Sequence, residues 1–119
     1  MSKIANVVTG ENYILVNFDV EGKVLEIGEH MNELCDEAYM NGYTWEAFLN
    51  HYLEINAPEI LSAIDTDSEA GMYSAYFNDV TEENKALAER YAEIINGLFE
   101  NEDEIYSFLE DNAGDIEWD

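Results

Sequence analysis

Tyr13-Ile14-Leu15-Val16-Asn17-Phe18 is the run that decides the fold. Its residues are mostly aliphatic or aromatic, and a two-residue period sets Ile14, Val16 and Phe18 on one face of a strand. Turn formers bracket it, with Thr9-Gly10-Glu11-Asn12 before and Glu21-Gly22 after. A lone strand needs neighbours. Residues 4–8 and 24–27 have strand composition, which predicts a short antiparallel meander at the start of the chain.

Downstream the apolar period changes from 2 to 3.6. Ile27, Met31, Leu34, Cys35, Ala38 and Tyr39 fall on one helical stripe, with Gly42 where a helix C-terminus favours glycine. Thr44 is placed to cap a second helix, in which Trp45, Phe48, Leu49 and Tyr52 repeat at i, i+3, i+4 and i+7. Asn56-Ala57-Pro58 reads as a break and restart, and a brief segment runs on to Ile64. Asp65-Thr66-Asp67-Ser68 reads as a turn, and Met72 to Phe77 returns to strand chemistry. Residues 81–99 form the clearest helix, its apolar face made by Leu87, Tyr91, Ile94, Ile95 and Leu98. A last helix turns Ile105, Phe108 and Leu109 inward and ends at Gly114. The tail Asp115-Ile116-Glu117-Trp118-Asp119 alternates acid with apolar, the pattern of an edge strand. Together these elements predict an α+β fold: one domain over residues 1–119, with a small, mostly antiparallel sheet covered by helices.

Charge narrows the function. The chain carries 28 Asp and Glu against 4 Lys and Arg, a net charge of -24. With 47% hydrophobic and 13% aromatic residues, it is a folded acidic domain and not a disordered acidic tail. Nucleic-acid backbones and anionic membranes are repelled by such a surface, whereas basic proteins and cations are attracted. The single Cys35 excludes an internal disulfide, as suits a reducing compartment. No apolar run approaches the roughly 18 residues of a membrane span. Met1-Ser2-Lys3-Ile4 does not open a signal peptide, so the expected location is the cytoplasm.

Catalytic and metal motifs fail on inspection. Counted from Asp65, an EF-hand loop would need Gly at position 6 and Glu at position 12, where the chain has Ala70 and Tyr76. His30, His51 and Cys35 lack the paired spacing of a zinc site. Cys35 has no cationic neighbour in sequence to lower its pKa and sits on an apolar stripe. There is no Gly-rich phosphate loop, no Gly-x-Ser-x-Gly and no His-Glu-x-x-His. The chain therefore reads as a non-enzyme without metal or cofactor.

The sign of the surface is the remaining clue. At 100° per residue, Glu89, Glu93 and Glu100 lie within about 20° of Glu82, opposite the apolar face, along roughly 27 Å of helix. Beyond Arg90 the chain has no cation, while Glu100, Glu102, Asp103, Glu104, Glu110, Asp111, Asp115, Glu117 and Asp119 follow. An ordinary solvated face mixes Lys with Glu and gains i, i+4 pairs. A one-sided field instead speeds encounter with a basic partner.

Three stretches carry a family resemblance. Gly42-Tyr43-Thr44-Trp45-Glu46-Ala47-Phe48-Leu49-Asn50-His51-Tyr52-Leu53 and Asp67-Ser68-Glu69-Ala70-Gly71-Met72-Tyr73, with Leu25-Glu26-Ile27-Gly28-Glu29-His30-Met31-Asn32-Glu33 upstream, resemble the immunity protein 51 family of bacterial polymorphic toxin systems. The resemblance covers residues 24–77 and implies a small α+β protein that binds and neutralises the toxin encoded beside it. It assigns no role to a single residue. Joined to the charge, it implies a basic toxin cleft, such as that of a nuclease, plugged by acid, with Trp118, Tyr106 and Tyr73 as candidate aromatic anchors. Other functions compatible with the acid are a nucleic-acid mimic, a cation-binding module and a general adaptation to salt.

Overall fold

The structure, a computed structural model, describes residues 4–116 and 118. Strand β2 (Ile14–Asp19) forms as its composition dictates and lies inside a four-stranded antiparallel sheet. Its neighbours are β1 (Asn6–Thr9) on one side and β4 (Met72–Phe77) on the other, with the two-residue β3 (Asp65–Thr66) beyond β4. Register aligns Ile14 with Phe77, Val16 with Ala75 and Phe18 with Tyr73, so these side chains share one face, and all six are buried.

The helices are α1 (Gly22–Leu34), α2 (Gly42–Asn56), α3 (Pro58–Leu61), α4 (Glu82–Glu100) and α5 (Glu102–Asn112). Helix α4 packs on β1 and β2, and α2 packs on β4. Both meet the sheet on the Phe18 face. Phe18 stacks on Tyr73 at 5.1 Å and takes the edges of Trp45 from α2 at 5.8 Å and Phe99 from α4 at 5.4 Å. Each such aromatic removes about 2–3 kcal/mol worth of apolar surface from water. The Tyr73 and Tyr91 hydroxyls, fully buried in this cluster, satisfy one another by a hydrogen bond.

Six sequence expectations are corrected. Residues 24–27 are helical, not a strand: Val24, Ile27, Gly28 and Met31 make the buried face of α1 at helical spacing, and β4 takes the place beside β2. Helix α1 stops at Leu34, because Cys35 is extended, so Ala38 and Tyr39 lie in a loop, Ala38 buried and Tyr39 exposed. Gly42 therefore opens α2 and does not close α1. The cap of α2 is Asn41, whose side chain accepts from the Thr44 N–H at 2.9 Å and the Thr44 hydroxyl at 2.8 Å. Asp65 and Thr66 pair with β4 and are not part of a turn. The tail forms no strand at Asp115 and Ile116, which lie in a turn and a bend, because Ile116 is buried in the core. Glu117 and Asp119 lie outside the described residues.

Candidate functional surface

Helix α4 forms where its sequence says it should. The Thr81 hydroxyl accepts from the Asn84 N–H at 3.0 Å, and Glu82 and Glu83 in the first turn suit the positive end of the helix. Ala88, Tyr91, Ala92, Ile95, Leu98 and Phe99 bury the inner face. Glu82, Glu89, Glu93 and Glu100 are all exposed on the outer one, forming a single acidic row. Two cations touch this helix. Lys85 pairs with Glu82 at 3.5 Å, and Arg90 reaches across to Glu59 on α3, whose carboxyl is held below its usual range by a backbone hydrogen bond and by Arg90. Both pairs are well solvated and neutralise little of the row.

Helix α5 continues the acid. Glu102, Asp103 and Glu104 are exposed in its first turn, and Asp111 and Asp115 are exposed at its far end. The Tyr52 hydroxyl points at Glu104 from 3.5 Å; partial burial, then the carboxylate, push its pKa up. Tyr106 is half-buried against the His30 ring of α1, centroids 4.4 Å apart, and partial burial with Glu102 beside it raises its hydroxyl likewise. Trp118 is half-buried, its indole N–H donating to the Ala113 carbonyl at 3.2 Å. Tyr73 is enclosed in the core and has no surface to offer a partner, which removes it as an anchor. The α4 row and the first turn of α5 follow one another along the chain across Asn101, whereas Asp111, Asp115 and Trp118 lie at the opposite end of α5.

Among the described residues no group of three His, Cys, Asp or Glu is placed to share a metal ion. His51 Nε2 lies 3.3 Å from Asn112 Oδ1, and its ring packs near Phe108. No described helix is long and apolar enough to cross a membrane.

One surface went unseen in the sequence. Opposite the Phe18 face, the pleat aligns Val8, Leu15 and Tyr76 in a row across β1, β2 and β4. The alternation at Leu15 marked an outward residue, but the row is assembled from three separate strands and no local pattern contains it.

The family-like stretches also acquire a place. The Gly42 N–H donates to the Ala70 carbonyl at 2.8 Å, so the start of α2 is fastened to the turn between β3 and β4. A Cβ on Gly42 would sit 1.7 Å from the Glu69 carbonyl oxygen and 2.5 Å from that of Met72. Three residues on, Trp45 is buried at the centre of the aromatic cluster. The two stretches thus touch through backbone and core, and their shared chemistry is that of packing. No curated protein and no solved structure matches the chain. The family model described as immunity protein 51 matches residues 7–114, a span that takes in every strand and helix from β2 to α5. With the match running through the contact between Gly42 and the Glu69–Met72 turn, the chain belongs to the immunity protein 51 family.

Proposed function

We propose that the protein neutralises a cognate bacterial toxin by binding it, without catalysis or cofactor, in the cytoplasm, and that its acid attracts a basic toxin surface. The observation that carries this is the acidic row Glu82, Glu89, Glu93 and Glu100, continued by Glu102, Asp103 and Glu104, all of them exposed. Only Glu82 of these has a basic partner among the described ion pairs. Unpaired carboxylates of one sign raise the encounter rate with a positive surface and disfavour acidic competitors. A toxin that handles nucleic acid needs Lys and Arg in its cleft to hold phosphate. Such a cleft is attracted by this row, and Tyr106, Asp111, Asp115 and Trp118 extend the candidate surface along α5 and beyond.

The test is the association rate with the toxin domain encoded beside this protein's gene, followed from low to physiological salt. Steering makes that rate fall about 10-fold or more as salt screens the field. The Glu89→Lys and Glu93→Lys double variant should associate more slowly and with a shallower salt slope. A rate independent of salt would remove the electrostatic part of the proposal.

A further inference from the structure

The outer face of the sheet carries a pattern the acidic row does not explain. Its first transverse row is Val8, Leu15 and Tyr76, ending at Asp65 on β3. Its second row is Asn6, Asn17 and Ser74. Tyr13, just before β2, lies on the same side, and with Leu15 and Tyr76 it lines a shallow depression bordered by Asn12, Asp67 and Asn78. The helices that pack on the sheet do so on the opposite face. Val8 is 46% exposed and Tyr13 45% exposed, while Leu15 and Tyr76 are half-buried.

The placement of charge is the decisive detail. The chain has 28 acidic residues, yet neither of these two rows contains one before Asp65. Acid stands at the margin, with Asp65 and Asp67 on one side and Asp19 opposite Met72 on the next row. The four strands contain no Lys or Arg. An uncharged centre with aromatic and aliphatic side chains inside a charged margin is the anatomy of a protein–protein contact. A solvated outer sheet face would alternate polar and charged residues.

The geometry points to this face as the surface that grips the toxin, centred on Tyr13, Leu15 and Tyr76, against an apolar protrusion rimmed by Lys or Arg. The proposal rests on the toxin-binding function above and divides it: the α4 row speeds encounter, and the sheet face holds the bound partner. The margin selects the occupant. A second copy of this chain would set Asp65 and Asp67 against acids of the same margin, where the strands supply no cation, and among the described residues only Lys23, beside Asp19, stands near its far end. Nucleic acid is repelled by the same margin.

Binding kinetics with the adjacently encoded toxin domain test it, using Tyr76→Ala and the exposed Tyr13→Ser beside the Glu89→Lys and Glu93→Lys double variant. Loss of a central tyrosine should weaken affinity about 30-fold, nearly all of it as faster dissociation. The α4 variant should change the association rate and leave dissociation within about 3-fold. Val8→Ser, on the exposed edge strand, supplies a second readout if Tyr76→Ala lowers the melting temperature severely. Folded Tyr13 and Val8 variants that bind like the wild type would overturn the sheet-face assignment while leaving toxin binding intact. Failure of the wild-type protein to bind the toxin domain would overturn both. Concentration-dependent dimerisation abolished by Tyr13→Ser would assign the face to a second copy and likewise overturn the proposal.

Discussion

Replacing Gly42 by Ala should cost this protein much of its stability, although alanine is the better helix former. The added methyl would lie 1.7 Å from the Glu69 carbonyl oxygen, where ordinary contact needs about 3.5 Å. The turn or the first residues of α2 must therefore separate by well over an ångström. That movement breaks the 2.8 Å hydrogen bond from the Gly42 N–H to the Ala70 carbonyl. Overpacking of this kind costs about 1–3 kcal/mol, and leaving the buried donor unpaired adds about 1–3 kcal/mol. The higher helix propensity of alanine returns about 1 kcal/mol. The net loss is about 3 kcal/mol, which for a domain of this size lowers the melting temperature by roughly 10 °C or more. Urea unfolding followed by fluorescence is a suitable assay, because Trp45 is buried three residues away and reports the same junction. A Gly42→Ala protein within about 1 kcal/mol of wild type would refute the claim that glycine is there for close approach.

The matched control is Gly97→Ala, in the exposed part of α4 where a Cβ meets nothing within 4 Å. It should stabilise the protein by about 0.5–1 kcal/mol in the same urea titration, and destabilisation would mean the α4 surface is less open than described. Stability should fall on the alkaline side. Burial holds the Tyr73 and Tyr91 hydroxyls well above the ordinary tyrosine value of about 10, so above that pH the unfolded chain loses protons that the folded one keeps. The contribution is complete below about pH 10 and declines as pH rises, by up to about 1.4 kcal/mol per pH unit for each tyrosine. Urea midpoints at pH 9 and 11 check this, and Tyr91→Phe should flatten the difference. With a net charge of -24, the melting temperature should rise as salt is added from about 10 mM to 150 mM, by screening of self-repulsion. A melting temperature that falls with salt would show that attractive pairs outweigh repulsion.

What the sequence revealed was whatever a single element encodes by itself. β2, β4, the restart at Pro58 and the whole of α4 follow from local period and capping, and the acidic row was readable because all four glutamates sit on one helix. The start of α1 was missed because residues 24–27 are apolar enough for a strand, and what settles them is Met31 completing the buried stripe. Gly42 was misplaced because its neighbour is a carbonyl 27 residues downstream, and a glycine after an apolar stripe looks the same whether it ends one helix or begins another. β3 was hidden by its length, since two residues have no period. The uncharged sheet face was illegible for a similar reason: Val8, Leu15 and Tyr76 become neighbours only through strand order and register. Tyr73 misled in the opposite direction, because acid nearby in sequence suggested a surface and the strand turns that side chain inward.

The distribution of acid bears on what the charge is for. If negative charge served solubility alone, each outward surface would take its share, since water makes no distinction between a helix face and a sheet face. The exposed side of α4 carries Glu82, Glu83, Glu89, Glu93 and Glu100 against Lys85 and Arg90, and the first turn of α5 is three acids in succession. On the outer sheet face Val8 and Tyr13 are exposed, Leu15, Asn17 and Tyr76 half-buried and Ser74 buried, and acid stands only at the margin. Aromatic surface in water is unfavourable for the free protein, so a patch kept clear of charge is consistent with a surface covered in the bound state. Field and grip then need not coincide. Charge acts at a distance of about 8–10 Å through salt solution and tolerates imprecise placement, whereas an aromatic anchor acts only in contact. Assigning the two to opposite faces of one small sheet lets the acid be revised without disturbing the contact.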